Sequence, residues 1–213
     1  MTVKEIYTKY NIPPNLQGHL FRVTKLALFI CDHWKGPELD REVIKQAGLL
    51  HDLGNIVKFD FVNHPEFLGK EQKNVKKWIK VQREMIRRYG KDDHEALSNI
   101  LKELKVDDNI YQLIMSKESK NSKKMASGNN WELKIIHYAD SRSGPFEIIP
   151  LNTRLDEVLR RSEKYQHLDL PGLIEACNQI EEQLQETTSI DITKIDENSS
   201  KINPSKLLNE VIT

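Results

Sequence analysis

Apolar residues recur at intervals of three and four along most of this chain. After residue 18 they form one stripe on a single helix face, made by Val23, Leu26, Ala27, Ile30 and Trp34. The same period predicts further helices at residues 43–50, 70–91, 92–104, 109–115, 131–141, 155–165 and 173–184. No period-two alternation precedes Ser189, so the pattern predicts an all-α fold.

Three segments depart from this pattern. Residues 116–130 are polar and rich in lysine, and we expect a loop because so few apolar side chains cannot offset the entropy of ordering. Residues 144–152 contain two prolines and are also predicted as a loop. Beyond residue 186 the chain turns polar. We therefore predict a helical domain over residues 1–186 and a polar C-terminal tail over residues 187–213, with a short terminal helix within 204–212.

Composition indicates a soluble globular protein with one sizeable core. The 32 basic and 32 acidic residues cancel, which argues against general nucleic-acid binding. No apolar run approaches the roughly 18 residues that span a bilayer, and residues 1–15 contain no apolar leader. Cys31 and Cys177 have no CxxC partner, so we expect buried thiols in a reducing compartment and a cytoplasmic protein.

Three polar residues occupy positions where the predicted helices would carry apolar ones. His19, His51 and Asp140 each lie four residues from an apolar position of their own helix, so they share its inward face. A buried carboxylate without a partner is strongly disfavoured. Because three inward polar groups come from three helices, a shared divalent metal ion accounts for all of them. Imidazole and carboxylate ligands suit iron, manganese, zinc or nickel.

Asp52 directly follows His51, and adjacent helical residues point about 100° apart. The pair therefore reaches one ion most easily at a helix end, which Gly54 just beyond it favours. Each residue alone has another interpretation. A single inward histidine is more often a hydrogen-bonded core residue, and a single inward aspartate can cap a neighbouring helix. The combination of four residues is what favours a metal site.

These residues occur in the order His, His-Asp, Asp within the stretches GHLFRVTKLALFI, AGLLHDLGNI and KIIHYADSRSG. In this order they resemble the HD superfamily of metal-dependent phosphohydrolases, over about residues 18–165. The resemblance implies an all-α, HD-type helical bundle around a central metal site held by His19, His51, Asp52 and Asp140. It also implies hydrolysis of a phosphate ester, usually of a nucleotide or another small phosphorylated metabolite.

The resemblance implies a divalent transition metal, namely Mn, Fe, Co, Ni or Zn. Some members hold a second ion through additional histidines, for which His64 and His94 are the candidates here. His94 faces inward and is predicted as a ligand or a substrate contact, whereas His64 precedes a proline in a loop-like stretch. Members with two ions typically carry a further histidine on the next helix. Residues 110–120 contain none, so we expect one metal site.

Other residues near the predicted ligands concern the phosphate. Many members carry a lysine three residues after the HD aspartate, but Asn55 stands here, and Lys58 is our candidate catalytic replacement. Arg22 and Arg142 lie within three residues of a predicted ligand, and arginine can bind phosphate through two parallel hydrogen bonds. We predict that both bind substrate. For Arg22, a salt bridge within the bundle is an equal alternative.

The chemistry expected from these residues is metal-assisted hydrolysis, in which Asp52 helps to hold the ion and orients or deprotonates the attacking water. Two other functions stay open. One is a non-catalytic, metal-stabilised nucleotide-binding or signalling module, and the other is a di-iron oxygenase of the HD fold. The expected partner is a small phosphorylated molecule, with no membrane. The identity of that molecule and the oligomeric state are both open.

Overall fold

Eleven α-helices make up most of residues 1–161 and 169–212, the part of the chain that the computed structural model describes. In chain order they are α1 (Val3–Lys9), α2 (Pro14–Asp32), α3 (Arg41–Leu50), α4 (Val75–Tyr89), α5 (Asp93–Leu104), α6 (Asp108–Ser116), α7 (Ser122–Ser127), α8 (Trp131–Arg142), α9 (Leu151–Arg161), α10 (Leu170–Glu186) and α11 (Pro204–Leu208). Short 3-10 helices lie at Asn55–Lys58, Pro65–Asn74, Ser119–Asn121 and Ile192–Lys194. Across these residues β structure is limited to three isolated bridges, so the predicted all-α fold is confirmed.

Helix α2 lies at the centre of the bundle, where it packs against α3 and α8. The helical part of its predicted stripe is fully enclosed, namely Val23, Leu26, Ala27 and Ile30. Trp34 lies beyond the helix end, and its ring meets that of Trp131 edge-on, with 5.2 Å between the centroids. The predicted apolar face of α2 is therefore the face that forms the core.

Side-chain caps define where three of the helices begin. Asp40 caps α3, Asp92 caps α5 and Asn130 caps α8, each by accepting backbone N–H groups of the first turn. These bonds satisfy donors that have no partner within the helix. The helix predicted over residues 92–104 thus begins at its cap, Asp92. Two of these caps matter for the site. Helix α3 ends directly before His51 and Asp52, and α8 carries Asp140.

Residues 116–130 are largely helical, and the loop predicted there is wrong. They contain the 3-10 turn Ser119–Asn121 and helix α7, which packs against α10. Met125 and Ala126 are buried in that contact, and Ser122 is buried beside them. Two apolar side chains suffice because the helix is short and its three other residues are exposed. The segment's overall polarity concealed this narrow contact face.

Two predicted helices begin elsewhere than expected. The helix expected over residues 70–91 begins as α4 at Val75, because the preceding 3-10 helix turns at Gly69, whose φ is 53°. A Cβ there would lie 2.3 Å from Asn15 Oδ1, so glycine fits this turn. The helix expected over 155–165 begins earlier, as α9 at Leu151, and shortens the preceding loop. Its predicted end lies outside the described residues.

The C-terminal segment predicted as a polar tail lies against the bundle. Ile192, Ile195 and Leu207 are buried, and α11 packs against α1. The terminal helix is shorter than expected and is preceded by the 3-10 turn Ile192–Lys194. Glu210 forms an ion pair with Lys45 of α3 at 2.8 Å. Residues 187–212 therefore belong to the same packed unit as the helices before them.

Two expectations from composition concern the membrane and the thiols. In the described ranges no helix is long and apolar enough to cross a bilayer. Cys31 and Cys177 are both free, and burial raises their pKa to about 12 and about 11 respectively. Cys177 is buried as expected, whereas Cys31 is only partly buried, and both thiols are held protonated near neutral pH.

Candidate metal centre

Three helices bring the four predicted ligands to one point. His19 lies on α2, His51 ends α3 with Asp52 directly after it, and Asp140 lies on α8. One ligand atom from each of the four lies within 4.8 Å of all the others. The end of α3 is where the sequence pattern placed the His-Asp pair, because only there can both side chains turn to the same side.

The two imidazole rings face the two carboxylates. His19 Nε2 lies 3.1 Å from Asp140 Oδ1 and 3.5 Å from Asp52 Oδ2. His51 Nε2 lies 3.5 Å from Asp140 Oδ1 and 3.7 Å from Asp52 Oδ1. Two nitrogen and two oxygen donors at this spacing form a ligand set that first-row divalent ions take in proteins.

The enclosed ring of His51 tests whether these residues fit a metal ion. Its Nδ1 lies 2.9 Å from the carbonyl oxygen of Gly48, to which one tautomer donates a hydrogen bond. In that tautomer Nε2 presents a lone pair, and this buried atom has no hydrogen-bond partner. Such an atom is unfavourable unless a cation binds it. The residues therefore fit a divalent metal ion.

Both carboxylates are held in their charged form. Burial alone would raise the pKa of Asp140, but electrostatic interactions with Lys117 and His51 outweigh burial and hold that pKa well below its usual range. At Asp52 burial also raises the pKa, and interactions with His51 and Lys117 again outweigh it, so the pKa of Asp52 is lowered. Carboxylate is the form that binds a metal, so these two side chains are already in the form that a metal ion requires.

Lys117 also belongs to this centre, although it is not among the site residues predicted from the sequence. It directly follows α6, and its ammonium donates a hydrogen bond to Asp140 Oδ2 and lies 3.8 Å from Asp52 Oδ1. Its side chain is only 13% exposed. The signal was present, because Lys117 lies seven residues after Ile110 and four after Leu113, which are both buried. That spacing is the one that singled out the histidines.

Asn55 orients one of the carboxylates. Its side-chain Nδ2 donates a hydrogen bond to Asp52 Oδ2, the same oxygen that faces His19. The amide thus fixes the rotation of Asp52 without adding charge. A lysine at this position would add a positive charge instead, and here Lys117 supplies that charge from another helix.

A cavity of about 550 Å³ opens onto the four clustered side chains. This volume lies within the range that small-molecule sites occupy, roughly 300 to 1,000 Å³. Its wall includes a set of apolar side chains, namely Leu16, Phe59, Phe67, Leu97 and Ile114. The centre is therefore accessible to a small molecule of the size of a nucleotide.

Two other predicted site residues, Lys58 and His94, line the same cavity. The ammonium of Lys58 lies 2.6 Å from Asp93 Oδ2, and His94 Nδ1 lies 3.4 Å from an oxygen of Glu118. Both lie outside the cluster of four ligands. His64 is exposed and does not line the cavity.

The structure places Arg142 away from the cavity, and the predicted substrate contact is corrected. Its guanidinium is only 2% exposed and donates to the Tyr138 hydroxyl. It also donates to four carbonyl oxygens, those of Ile149, Ile192, Thr193 and Ile195. Two residues along a helix turn the side chain by about 200°, so Arg142 points away from the side of α8 that carries Asp140.

Arg22 also lies outside the residues that line this cavity. It donates to the carbonyl oxygens of Gly18, Gly144 and Pro145, and its Nε lies 3.4 Å from Glu197 Oε1. Burial lowers the pKa of Arg22, and the charge of Glu197 opposes this shift. The structure therefore shows the alternative role, an ion pair within the bundle that fastens the C-terminal segment.

His137 is enclosed between α7, α8 and α10. Its Nε2 lies 3.3 Å from Ser122 Oγ and 3.6 Å from Cys177 Sγ. Burial, and next the charge of Lys117, lower the pKa of this histidine from about 6.5 to about 4. The ring is therefore neutral near neutral pH, and it packs beside the centre as an uncharged side chain.

We expect the free energy of unfolding to fall as the pH drops from about 6.5 to about 4. In this window the unfolded chain protonates His137 and the folded chain does not, so protonation favours unfolding. The contribution is complete above about pH 6.5 and is at most about 3 kcal/mol. Denaturant unfolding of the wild type and a His137→Gln variant across this window measures it. Parallel pH profiles of the two proteins would contradict the assignment.

Comparison with known protein families agrees with this site. The family model of the HD domain matches residues 16–144, which is more than half of the chain and contains all four clustered ligands. The chain therefore belongs to the HD domain family, a superfamily of metal-dependent hydrolases, and the resemblance predicted from the sequence is confirmed. Neither a search of curated proteins nor a search of solved structures found a match.

Proposed function

We propose that this protein is a metal-dependent phosphohydrolase that acts on a small phosphate ester, most simply a nucleotide. The observation that carries the proposal is the convergence of His19, His51, Asp52 and Asp140 at the wall of a cavity of about 550 Å³. A structural metal site is usually closed by protein ligands, whereas a catalytic one keeps an open side. The open cavity favours catalysis.

His19, His51 and Asp140 would hold the ion, and Asp52 would complete the set. When bound there, a divalent ion supplies a water of lowered pKa and positive charge for a phosphoryl oxygen. Asp52 Oδ1 and Oδ2 are hydrogen-bond acceptors within the cluster, so this side chain can orient the attacking water or accept its proton. Asn55 keeps the carboxylate in the required rotation.

The lining of the cavity supports a nucleotide as the substrate class. Phe59 and Phe67 stack with 5.8 Å between centroids and an interplanar angle of 24°, and both line the cavity. An aromatic face of this kind can stack on a base. Lys58, His94 and Arg154 line the same cavity and can meet phosphate oxygens. Apolar and cationic groups in one cavity match the two ends of a nucleotide.

The experiment that tests this function is a panel of nucleoside phosphates and simpler phosphate esters. Each is assayed with Mn²⁺, Fe²⁺, Co²⁺, Ni²⁺ and Zn²⁺, and phosphate release and product mass are measured. We expect turnover of at least one nucleotide, with the same rate under anaerobic conditions because hydrolysis consumes no oxygen. Nucleotide binding without product under every metal would favour the non-catalytic module. Product formation that requires oxygen would favour the oxygenase.

Lys58→Ala is expected to lower kcat/KM by roughly 10- to 100-fold, because one charged hydrogen bond to phosphate contributes about 1.5–3 kcal/mol. Lys58 is about half exposed and lines the cavity, so its removal should leave the fold intact. Lys76→Ala is the control, since Lys76 is exposed on α4 and does not line the cavity. Unchanged turnover in Lys58→Ala would remove this residue from the site.

A further inference from the structure

The ammonium of Lys117 lies between the two carboxylates that belong to the metal centre. It donates a hydrogen bond to Asp140 Oδ2 and lies 3.8 Å from Asp52 Oδ1, and the side chain is largely enclosed. The two other lysines that line the cavity, Lys58 and Lys120, are both more exposed. Lys58, for example, is 48% exposed and pairs with Asp93 rather than with a ligand.

The oxygens of the carboxylates are divided between two sets of partners. Asp140 Oδ1 faces both imidazoles, whereas Asp140 Oδ2 faces the ammonium. Asp52 Oδ2 faces His19 and accepts from Asn55, whereas Asp52 Oδ1 faces both His51 and the ammonium. Asp52 and Asp140 would help to hold one ion on the side of the imidazoles. A second ion at these carboxylates would have to compete with the ammonium of Lys117 for Asp140 Oδ2 and Asp52 Oδ1.

We propose that the ammonium of Lys117 takes the place of a second metal ion, so that this centre binds a single divalent ion. The inference rests on the proposed metal site and deepens it. Two carboxylates, one ammonium and one divalent ion leave a formal charge of plus one. A further divalent ion would raise it to plus three unless it displaced the ammonium. Like charges a few ångströms apart inside a protein repel strongly, so the second ion is excluded.

The first experiment counts metal ions in the purified, Mn²⁺-loaded protein of residues 1–213. Wild type should hold one ion per chain, and its activity should rise with Mn²⁺ along a single-site curve. Lys117→His removes the charge and adds an imidazole ligand, so this variant should hold two ions and give the electron paramagnetic resonance signal of a coupled Mn²⁺ pair. Two ions in the wild type, or one ion in a folded Lys117→His protein, would overturn the proposal.

A second variant keeps the proposal testable if the histidine variant fails to fold. Lys117→Met removes the ammonium and keeps the length of the side chain. Because the ammonium repels the bound ion, this variant should bind its first Mn²⁺ at least about tenfold more tightly. Isothermal titration at two ionic strengths measures this affinity. An affinity equal to or weaker than that of the wild type would show that Lys117 is not acting as a competing cation.

Lys123 provides the matched control on the neighbouring helix. Its ammonium pairs with Asp169 at 2.6 Å, so Lys123→Met and Lys123→His also remove a lysine–aspartate pair, but one that is exposed and outside the cavity. Both should bind metal as the wild type does, and a second ion in Lys123→His would contradict the proposal. Metal counts as expected without hydrolysis of any ester would refute the proposed function and leave the role of Lys117 intact.

Discussion

Replacement of Asp52 by alanine is expected to remove the bound metal ion and, with it, the hydrolysis of phosphate esters. Asp52 supplies both carboxylate oxygens to the centre and lies within 3.5–3.7 Å of the two imidazole nitrogens. Without it two imidazoles and one carboxylate remain, and that carboxylate is shared with Lys117. We expect the Kd for Mn²⁺ to rise at least about 100-fold, since even residues behind the ligands cost 10- to 100-fold when removed.

Turnover in Asp52→Ala should fall at least about 1,000-fold, because water without a metal has a pKa near 15.7 rather than near 7. Elemental analysis, a Mn²⁺ titration and the rate of phosphate release measure the two losses independently. The control is Asp32→Ala, which removes an exposed aspartate that pairs with Arg41 at the surface. That variant should keep both metal and activity, because exposed ion pairs contribute little.

The pattern of results decides between the candidate functions. Loss of metal together with turnover supports catalysis at this centre. Turnover that persists in a protein shown to be free of metal would exclude the metal-assisted mechanism. Circular dichroism and denaturant unfolding test whether Asp52→Ala keeps the helical bundle intact. We expect that it does, because the core at this point is made by Leu49 and Leu50, which are fully buried.

The ligands were predictable from the sequence because they conflict with their surroundings. A histidine or aspartate four residues from a buried apolar residue has to face the core, and the helical period alone reveals it. Lys117 obeys the same rule but was not predicted as a site residue. It lies at the junction of α6 and a segment whose lysines are mostly exposed. The inward position of Lys117 is evident only when the helical period of α6 is extended to the residue directly after its end.

The contacts of the arginines could not be predicted in the same way. Proximity in sequence to His19 and Asp140 suggested phosphate binding for Arg22 and Arg142, yet both guanidinium groups bind backbone carbonyls of distant segments. For Arg142 the helical period gave a warning, because two residues turn the side chain to the opposite face. Three of the four carbonyl partners of Arg142 come from residues 192–195, and no local sequence pattern predicts a contact over that distance along the chain.

The C-terminal segment illustrates the same limit. Its polar composition predicts a tail, but Ile192, Ile195 and Leu207 are buried against the bundle, and the buried Arg142 binds the backbone of residues 192–195. Arg142 satisfies carbonyl oxygens that a short, irregular segment could not pair by itself. Docking therefore depends on one residue of α8 as much as on the apolar content of the segment.

Arg142→Met is accordingly expected to destabilise the protein, by roughly 3 kcal/mol or more. The substitution replaces the aliphatic part of the side chain but leaves several carbonyl oxygens and the Tyr138 hydroxyl without their donor. Each buried group left unpaired costs about 1–3 kcal/mol, and these costs do not add fully. Denaturant unfolding measures the loss. Limited proteolysis should cut the variant first within residues 187–203.

Two comparison variants separate this role from substrate binding. Arg142→Lys should rescue little, because one ammonium cannot reach acceptors that five guanidinium hydrogens now serve. Arg87→Met removes an arginine that is 75% exposed, so it should change stability by less than about 0.5 kcal/mol. If Arg142→Met kept its stability and lost kcat/KM alone, the guanidinium would belong to the substrate site. Its enclosure by carbonyls on the side of α8 away from Asp140 predicts the opposite result, a loss of stability that also loosens residues 192–195.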